Sequence, residues 1–304
     1  MARPNRLFRV IGNGRSMVKK PTDDETLQQA AALEAASPDE AGALYADILR
    51  RDRGNLEASN ALERLGHAES FGRWMRVNCT IHPQDDIFRF IRSAPGTRDP
   101  IRAYLADGWR TLSELMVLLE RVDRPLLKMN NVLEFAAGFG RFTRHLAPLF
   151  PGRLTCADII PEAVEFGRRQ FGVKGLVSSF EPKDIVFPER YELVFVLSLF
   201  SHLPVSRWGE WLRSLAQAVA PGGVLVASFH GERAAQEFGV DLGPGGVRYF
   251  HSSESPSLDA DQYGTCLTTR AVIEDEVEKA LGRPPDFYQP TAFWIGQDAV
   301  VMKL

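Results

Sequence analysis

Apolar positions in the second half of the chain fall in short runs that alternate with helical segments. These runs are Val132–Phe135, Leu154–Ala157, Gly175–Val177, Leu193–Leu197 and Val224–Ser228. Short apolar runs separated by helices predict a parallel sheet that is covered on both faces. Two further runs, Phe287–Trp294 and Ala299–Leu304, flank Gly296-Gln297-Asp298 and predict a terminal hairpin. The pattern therefore predicts an α/β fold.

The first part of the chain is patterned differently. Residues 1–20 contain arginine and lysine but no acid, which predicts a basic, flexible tail. Residues 21–69 have helical periodicity, and Ser37-Pro38-Asp39-Glu40 is typical of a capping box. We assign residues 70–304 to a second domain, in which Gly231 to Gly264 forms a long, polar segment. Loops of that length usually cover a binding site, so we interpret residues 231–264 as a lid.

Composition narrows the classes of function. The 304 residues carry a formal net charge of -3, which gives no general attraction to nucleic acid. No apolar run approaches the roughly 20 residues needed to span a membrane. Cys79, Cys156 and Cys266 are isolated, and no set of potential ligands has the spacing of a metal site. These features indicate a soluble protein of the cytoplasm, with neither disulfides nor a metal.

The turn after the first predicted strand indicates which kind of ligand the protein binds. Gly138 and Gly140 follow the acid Glu134, but the third glycine position of a dinucleotide fingerprint is Thr143. This spacing does not favour a pyrophosphate, and an acid before the turn suits a ligand whose nearby group is an ammonium. Asp158 ends the second predicted strand, where a carboxylate can accept hydrogen bonds from ribose hydroxyls.

From about Tyr104 to Leu304 the chain resembles the class I S-adenosylmethionine (SAM)-dependent methyltransferases. The similarity is carried by Val132 to Gly140, Asp158 to Ala163, Tyr191 to Val194 with Leu199 to Pro204, and Val219 to Val226. It implies a Rossmann-like sheet of seven strands, mostly parallel with an antiparallel C-terminal strand, preceded by a small helical segment. Part of residues 21–69 also resembles one and a half tetratricopeptide repeats, which implies docking on the main domain, a protein partner or self-association.

The resemblance implies SAM as the cofactor and a set of residues that bind it. Two of these positions depart from the family: Ala136 replaces the usual first glycine, and Ser178 or Ser179 replaces a common acidic or asparagine contact to adenine. The implied cofactor-binding residues are Tyr104, Gly108, Glu134, Ala136, Gly138, Phe139, Gly140, Asp158, Ile159, Ser179, Phe180 and Leu197.

Candidate residues that would bind or deprotonate the methyl acceptor follow the later strands. His202 comes after the fourth strand and His230 after the fifth, so each is predicted either to remove a proton from the acceptor or to have a structural role. Phe200, Tyr249, His251 and Tyr263 are predicted to bind the acceptor. His145 is predicted to lie on the surface.

We expect O-methylation of a hydroxyl on a small polar metabolite or glycan. Two alternatives stay open: a methyltransferase that acts on a protein or carrier recruited by the N-terminal helices, and a SAM-binding protein without catalytic activity. An oxidoreductase is disfavoured because the third glycine is missing.

Overall fold

The computed structural model describes residues 22–67, 77–255, 258–259 and 261–304. The predicted basic tail therefore lies outside the described residues. Three helices come first: α1 (Asp23–Leu33), α2 (Pro38–Arg51) and α3 (Leu56–Arg64). They enclose a small apolar cluster of their own that includes Ala30, Tyr45 and Leu62.

The capping box predicted at the start of α2 is wrong. Ser37 makes no side-chain hydrogen bond to the helix, although Pro38 does occupy the first turn. A capping box forms instead at α1, where Thr22 and Glu25 exchange side-chain hydrogen bonds with each other's backbone. The capping box at Thr22 was not predicted from the sequence, and the predicted one at Ser37 does not form.

The N-terminal helices are docked on the rest of the chain. The side-chain amide of Asn60 donates to the carbonyl of Ile81 at 3.0 Å and accepts from its N–H at 3.1 Å. Two more helices, α4 (Asp86–Ser93) and α5 (Pro100–Arg121), continue from there. Arg92 on α4 pairs with Asp52 at 3.0 Å. The partly buried Asn60 amide and this ion pair thus join the two parts, in line with the prediction of a docked segment.

Seven strands form the main sheet, in the order β3-β2-β1-β4-β5-β9-β8. Their bounds are β1 (Val132–Phe135), β2 (Leu154–Asp158), β3 (Lys174–Val177), β4 (Tyr191–Val196), β5 (Val219–Phe229), β8 (Phe287–Phe293) and β9 (Gln297–Lys303). Strands β1 to β5 pair in parallel, and β9 runs antiparallel to both β5 and β8. The predicted fold class is confirmed.

Helices cover both faces of the sheet. They are α6 (Thr143–Leu146), α7 (Pro161–Phe171), α8 (Trp208–Gln217), α9 (Glu232–Glu237) and α10 (Arg270–Leu281). One face packs α8 and α10 against β1, β4 and β5, with Trp208 and Trp211 in that core. The other face packs α5 and α6 against the same strands around Phe142 and Phe195. The order of strands leaves the ends of β1 and β4 side by side, which is where ligands bind in such sheets.

The predicted lid has more structure than the sequence suggested. Residues 231–264 contain α9 and the strand β6 (Val247–Phe250), which pairs antiparallel with β7 (Thr265–Thr268). The backbone of Gly264 donates to the carbonyl of His202 at 2.9 Å, so the segment is fixed to the loop after β4. In the described parts of the chain, no helix has the length and apolar character of a membrane span.

Candidate cofactor and acceptor site

The turn after β1 has the backbone geometry that a ligand cradle requires. Gly138 and Gly140 adopt φ angles of 52° and 79°, in the left-handed region that favours glycine. A Cβ on Gly138 would meet no protein atom within 4 Å, so the space above the turn is open to a ligand. A Cβ on Gly140 would lie 2.4 Å from the ring of Phe171. Gly140 is therefore needed for packing against α7 rather than for contact with the ligand.

Ala136, the departure from the family's first glycine, has a φ of 60°. An L-residue in this left-handed region costs roughly 1–2 kcal/mol. The chain thus keeps the backbone shape of the glycine turn and accepts strain in doing so. The methyl group of Ala136 lines the pocket above the turn.

Asp158 at the end of β2 is oriented by the same turn. Its two carboxylate oxygens accept the backbone N–H groups of Gly138 at 2.7 Å and Ile160 at 2.9 Å. Burial raises the pKa of Asp158, and these backbone hydrogen bonds oppose the rise. A carboxylate held this way keeps lone pairs for further hydroxyl donors, which agrees with the predicted role towards ribose.

Glu134 lies within β1 and faces the same pocket. It is 3% exposed, and the hydroxyl of Thr143 donates to its Oε2 at 2.7 Å. Burial raises the pKa of Glu134 to about 8. A buried carboxyl group of this kind gains from a nearby cation, because the cation favours its charged form.

One pocket collects most of the predicted cofactor-binding residues. Glu134, Ala136, Gly138, Phe139, Asp158, Ile159, Ser179, Phe180 and Leu197 all line it. Gly108, Tyr104 and Gly140 do not, so the direct contacts predicted for these three are corrected. A Cβ on Gly108 would lie 2.3 Å from the carbonyl oxygen of Arg141, and this glycine lets α5 pack closely against the segment that follows the turn.

Tyr104 contacts Asp85, a residue that was not predicted to be part of the site. Its ring is fully buried, and its hydroxyl donates to Oδ2 of Asp85 at 2.5 Å. Asp85 lines the pocket and also caps α4 by accepting the N–H of Phe88 at 2.9 Å. Tyr104 therefore supports the wall of the pocket instead of facing the ligand.

Arg144 on α6 connects the part of the pocket wall that Tyr104 supports to the glycine turn by hydrogen bonds. Its guanidinium donates to the carbonyls of Gly140, Asn78 and Thr80 at 3.0, 2.9 and 3.0 Å. The side chain is 1% exposed and lies against the ring of Tyr104. Buried guanidinium groups need such acceptors, so this contact fixes residues 78–80 beside the turn.

The loop after β4 is held by a closed network of side chains. Ser198 has a φ of 67°, and its N–H donates to Oγ of Ser228 at 2.8 Å. Ser228 donates to Oε1 of Gln297 at 2.6 Å, and the Gln297 amide donates back to the Ser198 hydroxyl at 2.9 Å. The network joins β4, β5 and β9 and stabilises a strained residue of the pocket wall.

His202 is enclosed by hydrogen-bond acceptors. Its Nδ1 lies 2.7 Å from the carbonyl oxygen of Gly264, and its Nε2 lies 3.1 Å from Oε1 of Glu254. The ring also stacks on Tyr263 at 4.5 Å. Each ring nitrogen of His202 thus faces an oxygen of the protein. His202 therefore positions Glu254 and is not available to a bound methyl acceptor.

His230 lies in an apolar environment. It is 5% exposed, and its ring nitrogens make no hydrogen bond of normal geometry with the described residues. Burial, followed by the charge of His202, lowers the pKa of His230 to about 3. His230 is thus neutral and a weak base at neutral pH. Both histidines line a second pocket beside the cofactor pocket.

The other residues predicted to bind the methyl acceptor lie in different parts of the structure. Tyr263 lines the cofactor pocket, whereas Phe200 is a core residue that stacks on Phe229 at 5.0 Å. Tyr249 lines neither pocket, and His251 is exposed on the surface beside Asp261. The contacts with the methyl acceptor that were predicted for Phe200, Tyr249 and His251 are therefore not seen in this structure.

The prediction that His145 lies on the surface is also wrong. It is 3% exposed because α6 packs tightly against α5, and burial lowers its pKa to about 3.

Sequence reasoning missed the residue that joins the two pockets. Glu254 lines both of them, and its side chain is 12% exposed. Burial would raise the pKa of Glu254, but the hydrogen bond and charge of His202 lower it overall. No motif surrounds Glu254 in the polar segment 231–264, so no sequence pattern singles it out. Further lining residues that were missed are Asp85, Ile87, Arg141, Leu203, Arg207, Trp211, Ser255, Leu258 and Gln262.

Comparisons with known proteins concern the part of the chain that contains this site. Residues 132–223 match the family model of a methyltransferase domain. Nodulation protein S of Rhizobium tropici is 28% identical over 127 residues, which are 41% of this chain and 52% of that protein. The match thus spans about half the length of this relative.

Solved methyltransferase structures overlap the chain in part. A SAM-dependent methyltransferase from Clostridium acetobutylicum has a TM-score of 0.48 at 11% identity, covering 65% of this chain and 92% of its own. The CcbJ methyltransferase from Streptomyces caelestis also has a TM-score of 0.48, at 18% identity, covering 72% of this chain and 96% of its own. These overlaps are partial, and the fold assignment rests on the strand order itself.

The strand order, the glycine turn with its two buried carboxylates, and the family match define a SAM-binding methyltransferase domain. The sheet and the matched domain agree with the resemblance to the class I SAM-dependent methyltransferases. The residues present fit SAM: open space lies above Gly138, and Asp158 offers acceptors for a ribose diol. Glu134 provides a buried carboxyl group for the cationic end of the cofactor.

Proposed function

We propose that the protein transfers the methyl group of SAM to a small-molecule acceptor bound under residues 231–264. One observation carries this proposal: the carboxylates of the cofactor site and the cover residues Glu254 and Tyr263 line a single pocket. When bound, SAM supplies an electrophilic methyl group on a sulfonium. The protein's task is to hold the acceptor atom in line with that group and to exclude water.

Each side of the pocket has a distinct role in this proposal. Asp158 binds the ribose hydroxyls, and Glu134 faces the ammonium of the methionine part of SAM. The aromatic ring of Tyr263 closes the pocket from the opposite side, and burial raises its pKa well above the usual range. Tyr263 therefore remains a neutral phenol that can orient a ligand without acting as a base.

Orientation of the methyl acceptor is assigned to Glu254 rather than to a histidine. This role needs a side-chain atom that is free to accept a hydrogen bond from the N–H or O–H group of the methyl acceptor. The nitrogens of His202 already face acceptors, and His230 is a weak base because its pKa is lowered to about 3. Glu254 is a carboxylate at the junction of the two pockets, and His202 is a positioning residue for it.

The cover favours a small acceptor over a macromolecule. Residues 254, 255, 258, 262 and 263 line the pocket, and β7 fixes the end of this segment to the loop after β4. A protein or carrier substrate recruited by the N-terminal helices would have to reach past this cover. The docking of those helices through Asn60 supports a structural role for them.

A transfer screen tests the proposal. SAM with an isotope-labelled methyl group is incubated with the protein and with sugars, amines, lipids and peptides, and products are identified by mass. We expect label in a small molecule and loss of that label in Glu254→Gln. Glu237→Gln is the matched control, because Glu237 lies in the same segment and pairs with Arg233 on the surface. Label found only in peptides would contradict the proposal.

A further inference from the structure

The second pocket opens beside the cofactor pocket and has an aromatic rim. Phe90, Phe238 and Phe250 line it and remain 41%, 48% and 42% exposed. Large apolar side chains that are exposed together around a cavity typically mark a binding site. These three come from α4, the end of α9 and β6, so separate parts of the chain converge on one opening.

The rim is held in a fixed arrangement. Trp294 packs edge-on against Phe90 with ring centroids 5.7 Å apart, and the Arg141 guanidinium lies 4.7 Å from the centroid of the Trp294 ring. Ile295 beside it has a φ of 52°. Positive φ in a β-branched residue is a genuine outlier, and such strain clusters at ligand sites.

Polar groups lie deeper in the same pocket. Glu254 is the one carboxylate among the described residues that line it. His230 also lines it, and its ring nitrogens lack hydrogen-bond partners among the described residues. An unpartnered buried polar group is costly, and a bound ligand that reached the ring would remove this cost. The pocket thus combines an apolar mouth with a negative charge at its junction with the cofactor pocket.

We propose that the second pocket binds the methyl acceptor, and that the acceptor is a small-molecule amine attached to a flat, apolar ring. This inference rests on the proposed function. An ammonium group is drawn to the Glu254 carboxylate, and a ring can stack among Phe90, Phe238 and Trp294. A hydroxyl would gain less, because it carries no charge for Glu254 to attract and no histidine here is free to activate it.

The reaction balances with the groups present. The ammonium releases one proton to solvent, and the resulting amine donates a remaining N–H to the Glu254 carboxylate, whose side chain is 12% exposed. The nitrogen lone pair then forms a bond to the methyl carbon of SAM as the carbon–sulfur bond breaks. The electron pair of that bond stays on sulfur, which yields S-adenosylhomocysteine and a methylated ammonium.

Binding without turnover gives the first test. Phenyl-, indolyl- and naphthyl-ethylamines and their matching alcohols are titrated by calorimetry into the full chain saturated with S-adenosylhomocysteine. We expect the amines to bind more tightly than the alcohols, and Glu254→Gln to abolish that difference. Phe238→Ala, at an exposed position, should weaken binding of the amines about fivefold to tenfold. Trp109→Ala is the control, since Trp109 is 45% exposed on α5 and lines neither pocket.

Transfer of a labelled methyl group to the same panel gives the second test. Methylated amines whose yield falls in Phe238→Ala but not in Trp109→Ala would support the inference. Methylation of the alcohols alone, or binding of S-adenosylhomocysteine with no amine bound or methylated, would overturn it while leaving the proposed function intact. Failure to bind S-adenosylhomocysteine would instead contradict the proposed function itself. Melting temperatures identify any variant that does not fold.

Discussion

The cofactor side and the acceptor side of this site are built in different ways. On the cofactor side, backbone geometry and two carboxylates come from residues 134–158, close together along the chain. On the acceptor side, Phe90, His202, His230 and Glu254 come from segments far apart in sequence. A site made of local backbone turns has a readable motif, whereas a site made of converging side chains has none. This difference explains which predictions from the sequence succeeded.

The largest effect is expected on the acceptor side, from His202→Ala. Without the imidazole, Glu254 loses its hydrogen-bond partner and the lid loses the contact to the Gly264 carbonyl. We expect turnover to fall on the order of 10²-fold, with little change in affinity for S-adenosylhomocysteine. His251→Ala is the control, because His251 is exposed on the surface. Equal losses of turnover and of cofactor affinity would show that the two sides are not separable.

Asp158→Ala should show the converse of His202→Ala, because its main effect should be on cofactor affinity. The change removes the acceptors for the ribose hydroxyls and for the N–H groups of Gly138 and Ile160. It should cost about 1.5–3 kcal/mol of SAM affinity, measured by titration calorimetry. Asp184→Ala, an exposed aspartate, is the comparison variant. Unchanged affinity in Asp158→Ala would remove this residue from the cofactor site.

Glu134 on the cofactor side predicts a contribution to the pH dependence of stability and of SAM affinity. Its pKa in the folded protein is about 8, above the usual 4.5, because the group is buried. The folded state therefore binds more protons than the unfolded state between these values, and stability should fall as pH rises from about 4.5 to about 8. Glu134→Gln should lose this slope in thermal melts. A cation favours the carboxylate, so SAM affinity should rise with pH towards 8 in the wild type and not in the variant.

The smallest effect is expected from Ala136→Gly. Glycine adopts a φ of 60° without the strain of a side chain but has more freedom in the unfolded state. We expect a gain in stability of up to about 1 kcal/mol, read from chemical denaturation. Ala137→Gly, next to it on the turn, is the comparison. A clear loss of stability in Ala136→Gly would show that the methyl group packs favourably.

Much of the fold followed from the sequence because it depends on local patterns. The predicted strand Val132–Phe135 matches β1 in full, and the parallel order follows from strands joined by helices. The sequence analysis did not predict β6 and β7, since each has only four residues and a long stretch rich in serine separates them. The cytoplasmic location and the tetratricopeptide likeness of residues 21–69 stay predictions.

Side-chain roles were harder to predict than positions. Tyr104 was expected to face the cofactor, but its hydroxyl reaches Asp85, which is 19 residues earlier in the chain. His202 was expected to be either a base or a structural residue, and its partners Glu254 and Gly264 come from the lid. Such contacts depend on where separate segments meet, and no spacing within one segment encodes them. The cofactor side was therefore largely predictable and the acceptor side was not.

The central claim is that the pocket above the glycine turn binds SAM. Titration calorimetry of the full chain with S-adenosylhomocysteine and, separately, with NAD tests it most directly. The two buried carboxylates and the Thr143 at the third fingerprint position predict binding of S-adenosylhomocysteine and none of NAD. Binding of NAD, with no heat from S-adenosylhomocysteine, would contradict the assignment.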